Sequence, residues 1–585
     1  MHKAFLTYKM LILAYYYMVS PNLIKRTQDL KPAEINENAK RLFQVIYTDQ
    51  NKKVLADDDT QKINVYTVVS KLAFFYEKIR NAIEYDEEHL LRKNAIIRIL
   101  KRQVVIEGAL KTVDTTEISK HLLSELIRAG YLPNDKIPEV KISEVSKMFD
   151  KYFKLRNICV AKINSEMNIK KDVNKVKNLI NEKNVLTDWV LSLAACEIEE
   201  SLVSNKVKQA MIANLYDFLS HNIKLADDMN FKTDLEIQIY LSICRTYGKF
   251  DEDMLSFILF KYYNDDWVNL NLSEQDIARI ASLARGLRLE IIRQMTHPLV
   301  KQMDRITKKY ALYSSIMAET IEQDPVKIYN EIYSNEKTFL ASLKKICGIK
   351  YKKAKSRLWR VASRSIIYIF LTKSIFVFAL EIPATQWFNE PINPISLLIN
   401  VVFPAVLLFL IVFFTRTPGE ANTNKIISGV KELFFAGSER TAPIVLRSKD
   451  KRNGVVNWIF NIIYTAAFFV SIYFIIWALT LIHFNWVSIT IFLFFLAFVS
   501  FFSIITTSGV KDLIVIERRE NIFTLLLDLF YMPIIMIGKW LSSNVSKVNI
   551  FIFVFDFIIE APFKVLVEVA EDWTRYVKER KDNMV

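Results

Sequence analysis

A basic junction near the middle of the chain constrains the fold more than any other stretch. Between Lys344 and Arg364 stand Lys344, Lys345, Lys350, Lys352, Lys353, Lys355, Arg357, Arg360 and Arg364, with no Asp or Glu among them. The next residues, SIIYIFLTKSIFVFAL, have the composition of a hydrocarbon layer. Cations beside such a run mark the cytoplasmic foot of a transmembrane helix, because Lys and Arg are retained on that side of the bilayer. The chain therefore divides into a polar part before the junction and a membrane part after it.

Turn-forming residues are scarce, with 11 Gly and 14 Pro in 585 residues. Sandwiches and barrels need many turns, so the composition favours long helices. The expected fold is all-α: an N-terminal cytoplasmic irregular helical array followed by a C-terminal multi-pass transmembrane helix bundle. The expected layout is an N-terminal helix at 1–29, a cytoplasmic domain at 30–343, the junction at 344–364 and a four-span membrane domain at 365–507 with a cytoplasmic loop at 416–455. Two further apolar helices at 522–570 and a cytoplasmic tail at 571–585 complete it.

The four spans run from about Ser365 to Pro383, Ile395 to Thr415, Val456 to Ile482 and Val487 to Thr507. Each is near the length that a bilayer core requires. The connection from Glu381 to Pro394 and the turn around His483–Trp486 hold no Lys or Arg, whereas the connection from Arg416 to Asn457 holds eight. The positive-inside bias then places the N-terminal part, the long loop and the C-terminus in the cytoplasm, as in a bacterial inner membrane. Trp359 and Trp458 fall at inner ends and Trp387 and Trp486 at outer ends, where indoles anchor in the interface.

Two apolar stretches follow, Ile522–Leu541 and Ile550–Ala570. In the last, Asp556, Glu560, Lys564 and Glu568 recur every four residues on one face, and Asp528 and Lys539 also share a face. That stripe favours helices lying in the inner interface; a third spanning hairpin is the alternative. Pro562 adds a kink. At the other end of the chain, Ala4–Val19 is interrupted by Lys9 and is followed by no small-residue cleavage site. It is expected to be a packed first helix, with an uncleaved anchor as the alternative.

One residue is out of place in lipid. Lys373 falls in mid-span, where a lysine costs roughly 2.5–3.5 kcal/mol on insertion scales. The expected intramembrane charge network is Lys373, Glu381, Asp528, Lys539, Asp556, Glu560 and Lys564. A solute or proton path and a buried pair that fixes helix assembly are its two readings. Anionic lipid headgroups are the expected partners of Lys350, Lys352, Lys353, Lys355, Arg357, Arg360 and Arg364. The same cations, beside Trp359, fit a membrane surface better than nucleic acid.

Before the junction, apolar residues recur at helical spacing, as in Lys71–Ile83 and Leu90–Ile106. Thr233 with Glu236 and Ser273 with Asp276 have capping-box spacing. Gly130, followed by Pro133 and Asn134, reads as a helix stop, and Pro325 after Asp324 ends a helix begun near Leu299. The Leu132–Ile142 turn is the best candidate for an internal boundary. The acidic clusters Asp57–Asp59, Asp227–Asp228, Asp251–Asp253 and Asp265–Asp266 lack the glycine of a calcium loop, and are expected to complement helix starts. Cys159, Cys196, Cys244 and Cys347 form no CxxC pair and read as buried thiols.

No phosphate-cradling glycine loop, HExxH or GxSxG occurs, and no two of the six histidines stand three or four apart. No enzymatic activity, cofactor or metal is expected. The sequence suggests a cytoplasmic interaction or scaffold domain tethered by the spans, which meets a protein partner inside the cell. A small transporter or channel using Lys373 and the charged faces of the last helices is the alternative.

Overall fold

A computed structural model of the chain describes residues 35–516 apart from short stretches (chiefly 56–60, most of 66–86, 104–113, 436–441 and 448–453), then residues 531–541 and scattered positions beyond 568. The expectations for Ala4–Val19, Asp57–Asp59, Asp528, Asp556, Glu560, Pro562, Lys564 and most of Lys71–Ile83 fall outside the described residues. What is described is mostly helical, with four apolar helices in the C-terminal half that are long enough to cross a membrane. The chain forms two compact units. Unit 1 comprises Met1–Ser314, Phe434–Leu446 and Asp556–Val585; unit 2 comprises Ser315–Leu433 and Arg447–Phe555.

In unit 1 the helices are α1 (Glu37–Leu55), α2 (Glu88–Lys101), α3 (Thr115–Arg128), α4 (Val140–Ile169), α5 (Val173–Leu202) and α6 (Lys206–Asn222). They are followed by strand β1 (Ile223–Leu225), α7 (Leu235–Thr246), α8 (Glu252–Tyr263), α9 (Glu274–Met295) and α10 (Val300–Gln323), which runs on into unit 2 beyond Ser314. The centre is the long pair α4 and α5, flanked by α2, α3, α8 and α9. Amphipathic stripes bury Leu155, Leu193, Ile198, Ile243 and Phe260 completely or nearly so, the ordinary driving force for such an array. Trp267 is fully buried between Tyr152 and Phe260, each 5.0 Å away in T-shaped contact.

Several expected signals hold. Gly130 adopts φ +80 just beyond α3, a left-handed stop that a side chain would strain. The Ser273 hydroxyl accepts the Asp276 amide at 3.2 Å, α10 ends before Pro325, and all four cysteines are buried and free. The Thr233 box is different: Asp234, not Thr233, is the cap residue of α7, and its carboxylate is drawn to Arg293 (3.2 Å) and Gln294 (3.0 Å) instead of the helix amides. The Leu132–Ile142 turn lies inside unit 1.

Unit 2 continues with α11 (Pro325–Ser334) and α12 (Glu336–Phe376), then a π-helical turn at Val377–Glu381, α13 (Ile382–Trp387), α14 (Pro394–Phe413) and α15 (Glu420–Phe434). Strand β2 (Ile444–Leu446) belongs to unit 1, and α16 (Gly454–Leu481) and α17 (Trp486–Lys511) return to unit 2. The junction is therefore no linker. α12 is one unbroken helix of 41 residues that runs from lysine-rich surface into the first apolar span.

Strand β2 was not legible in the basic loop. It pairs in parallel with β1 (Ile223 opposite Ile444, Leu225 opposite Leu446), and the Asn36 amide reaches the Phe434 carbonyl at 3.1 Å. Three residues per strand are too few for the alternation that reveals strands in sequence.

Residues 531–541, part of the first late apolar stretch, are helical. A Cβ added at Gly538 would stand 2.0 Å from the Ala497 carbonyl, midway along α17, and the Tyr464 hydroxyl reaches Met536 Sδ at 2.9 Å. Only a glycine lets this helix approach so closely. The contact is with the middle of α17, not its basic end.

Candidate functional site

α12, α14 and α17 pack together through Leu358, Ala362, Leu408, Val412, Val499 and Val510. At the other end Leu479, Phe484, Ile489 and Phe492 close a second apolar cluster. The cation-free connections meet at this second end: Asn393 donates to the His483 carbonyl at 3.3 Å, Asn485 to the Pro391 carbonyl at 3.2 Å, and Phe388 stacks edge-on against Trp486. Nearer this end, a set of polar side chains is sealed inside the apolar bundle.

Lys373 is fully buried. Its ammonium stands 3.8 Å from the Phe495 ring centroid and 5.5 Å from that of Phe376, with no hydrogen-bond partner. Among the described residues no carboxylate comes within ion-pair distance, so the ring faces are its nearest compensation.

Glu381 is also fully buried, at the end of the π-helical turn. A widened turn of this kind shifts the side-chain register of a helix, and such turns concentrate at functional positions. Its Oε1 accepts the Asn400 amide and, at 2.8 Å, the Ser488 hydroxyl; its Oε2 has no partner. Glu381, named with Lys373 in the expected charge network, is an interior residue, but it meets Asn400 and Ser488 instead of the lysine.

Asn400 and Ser488 were not singled out from sequence. Both are fully buried. Ser488 begins α17, where Asn485 caps its amide at 2.7 Å, and its carbonyl accepts Asn400 Nδ2 at 3.2 Å. Asn400 Oδ1 is unpartnered. Pro404, inside α14, has no N–H to return to the Asn400 carbonyl. An Asn four residues before a Pro in an apolar helix was the available signal.

Of the remaining network residues, Lys539 is exposed, and Asp528, Asp556, Glu560 and Lys564 lie outside the described residues. Among the lipid-contact candidates, Lys352, Lys353, Lys355, Arg357, Arg360 and Arg364 are exposed. Lys350 is engaged, reaching Glu319 and the Ser315 hydroxyl at 2.8 Å each.

A latch ties the basic end of unit 2. Asn422, on α15, is almost fully buried and uses both ends of its amide. It donates to the Tyr351 hydroxyl (2.9 Å) and the Leu513 carbonyl (2.8 Å), and accepts the Val515 amide (2.8 Å).

Unit 1 spends its interior charges on itself. Lys93 lies between Asp251 (2.5 Å) and Asp253 (2.7 Å), Arg92 meets Glu199 at 3.1 Å, and Lys151 meets Glu197 at 2.6 Å under the Trp267 ring. Burial lowers the Lys93 pKa, but the two aspartates outweigh it and raise the pKa overall. The Asp251–Asp253 cluster is thus more than a helix cap, although Asp251 does accept the Met254 amide at 3.1 Å. Asp265 and Asp266 open a short 3-10 turn as expected, whereas Asp227 and Asp228 lie in a turn after β1 that starts no helix.

Comparison with protein-family models, with curated proteins and with solved structures gave no match.

Proposed function

We propose that the protein is a multi-pass membrane protein of a bacterial inner membrane that presents a large cytoplasmic helical domain to a protein partner. The pairing of β2 with β1 carries this reading. The loop between the second and third apolar helices contributes a strand to unit 1, so that part of the loop belongs with unit 1. That loop and the foot of α12 hold the cations, which points to the cytoplasm. The opposite connections, Phe388–Asn393 and Ile482–Asn485, are too short to form a recognition domain. The exposed cations of α12 add attraction to anionic headgroups.

Native mass spectrometry of the full chain, purified gently from its own membrane, tests the proposal. A partner that stays with the full chain and is absent from residues 315–585 supports it. A partner retained by residues 315–585 contradicts it.

A second reading is a small transporter or channel, favoured by the buried, unpartnered ammonium of Lys373 beside the helix irregularities at Glu381 and Pro404. Charged groups are rarely kept in a bilayer without a role. Ion flux in liposomes that Lys373→Met abolishes would support it; flux absent from the parent protein would remove it.

A further inference from the structure

We infer that Glu381, Asn400 and Ser488 form a binding site for a small monovalent metal cation within the membrane unit. Two buried oxygens of this group are left unmet. Glu381 Oε2 and Asn400 Oδ1 are buried oxygens without partners. Each is bonded to the same carbon as an atom of the Asn400–Glu381 hydrogen bond, so both belong to one hydrogen-bonded pair of buried side chains. The Asn400 carbonyl, deprived of a donor by Pro404, belongs to the same residue. The Ser488 hydroxyl donates to Oε1 and keeps its own lone pairs. A carboxylate oxygen, an amide oxygen, a freed helix carbonyl and a hydroxyl oxygen are hard ligands, the donor class that binds hard cations. Interrupted membrane helices use their released carbonyls in the same way.

The local charge agrees. Asn400 and Ser488 compensate one carboxylate oxygen only, and the Lys373 ammonium lies over Phe495, not on Glu381. A buried carboxylate with one bare oxygen is costly unless a cation completes it. The inference holds whether unit 2 conducts or only anchors, since a bound cation also stabilises a static bundle.

The test is thermal unfolding of the full chain in detergent, in sodium, potassium or choline chloride at equal ionic strength and at each of several buffered pH values. Sodium or potassium is expected to raise the Tm saturably over choline, by about 3–5 °C near a hundredfold excess over Kd. Glu381→Gln keeps an oxygen for Asn400 and Ser488 but places N–H donors where Oε2 stood. It is expected to unfold in choline no earlier than the parent does and to lose the increment. Lys373→Met leaves every ligand in place and removes a nearby positive charge, so its half-saturating concentration should fall; this arm stands even if Glu381→Gln does not fold. Equal Tm in all three salts would overturn the site, as would an increment that survives Glu381→Gln. A response that follows pH and ignores the cation would also overturn it, by assigning Oε2 a proton.

Discussion

The ammonium of Lys373 lies 3.8 Å from the ring centroid of Phe495 and donates no hydrogen bond. This separates a lysine that holds helices together from one that is merely tolerated. A structural ion pair loses about 3–5 kcal/mol when one partner is removed, whereas replacing an uncompensated charge with an apolar side chain of similar size is neutral or stabilising. Lys373→Met is therefore expected to match or exceed the parent in stability, measured by unfolding in detergent. A loss of 3 kcal/mol or more would show that Lys373 ties the bundle.

Lys93 is the opposite case. Its ammonium is sealed, with a side chain 1% exposed, against two aspartates that still touch solvent. Lys93→Met would leave Asp251 and Asp253 facing each other without a cation, at a cost of about 3 kcal/mol. Chemical denaturation of the full chain, followed by probes in unit 1, should show this loss. Asp253→Asn, which keeps one carboxylate on the lysine, should cost less.

His89 predicts a pH dependence. Burial, then the charge of Lys208, lowers its pKa from 6.5 to about 4. Asp251 opposes the shift and Arg92 adds to it. The folded pKa lies below the unfolded one, so on acidification the unfolded chain takes the proton first. This contribution to stability is complete above about pH 6.5 and falls away as the pH drops towards 4. His89→Asn should flatten that part of the stability–pH curve of unit 1, and an unchanged slope would assign the acid sensitivity elsewhere.

Asn422 fixes the segment after α17 by its side chain alone. Asn422→Ala removes the acceptor of the Val515 amide and the donors to Tyr351 and Leu513. Leaving these buried groups unmatched should cost about 2–4 kcal/mol locally. Hydrogen exchange at the Val515 amide should accelerate, while amides in the middle of α4 stay protected. Equal protection in the variant would show that backbone packing holds the segment.

Much of the architecture was legible in the sequence, because membrane segments obey a coarse rule. A span needs only length and apolarity, so the four helices appeared as composition. Lys373 and Glu381 stood out for the same reason, as charges in the wrong solvent. Their true surroundings did not. Asn400 and Ser488 are common, small polar residues, and only the folding of α14 and α17 brings them to one carboxylate. The Lys93–Asp251–Asp253 cluster joins residues some 160 positions apart, which no local spacing reveals. Strand β2 is defined by its partner β1 and has no period of its own. Gly538 read as an ordinary residue of an apolar stretch until the Ala497 carbonyl was seen against it.

The proposal's central claim is that the basic end of the membrane-crossing helices faces the cytoplasm. All four native cysteines are buried, so single cysteines introduced at exposed positions report sidedness against a quiet background. Gln386→Cys lies at the cation-free end; Lys353→Cys and Asn424→Cys lie at the basic end. A membrane-impermeant thiol reagent applied to intact cells should label the first at once, and the other two only after permeabilisation. Labelling of Lys353→Cys or Asn424→Cys in intact cells, with Gln386→Cys protected, would invert the topology and contradict the account.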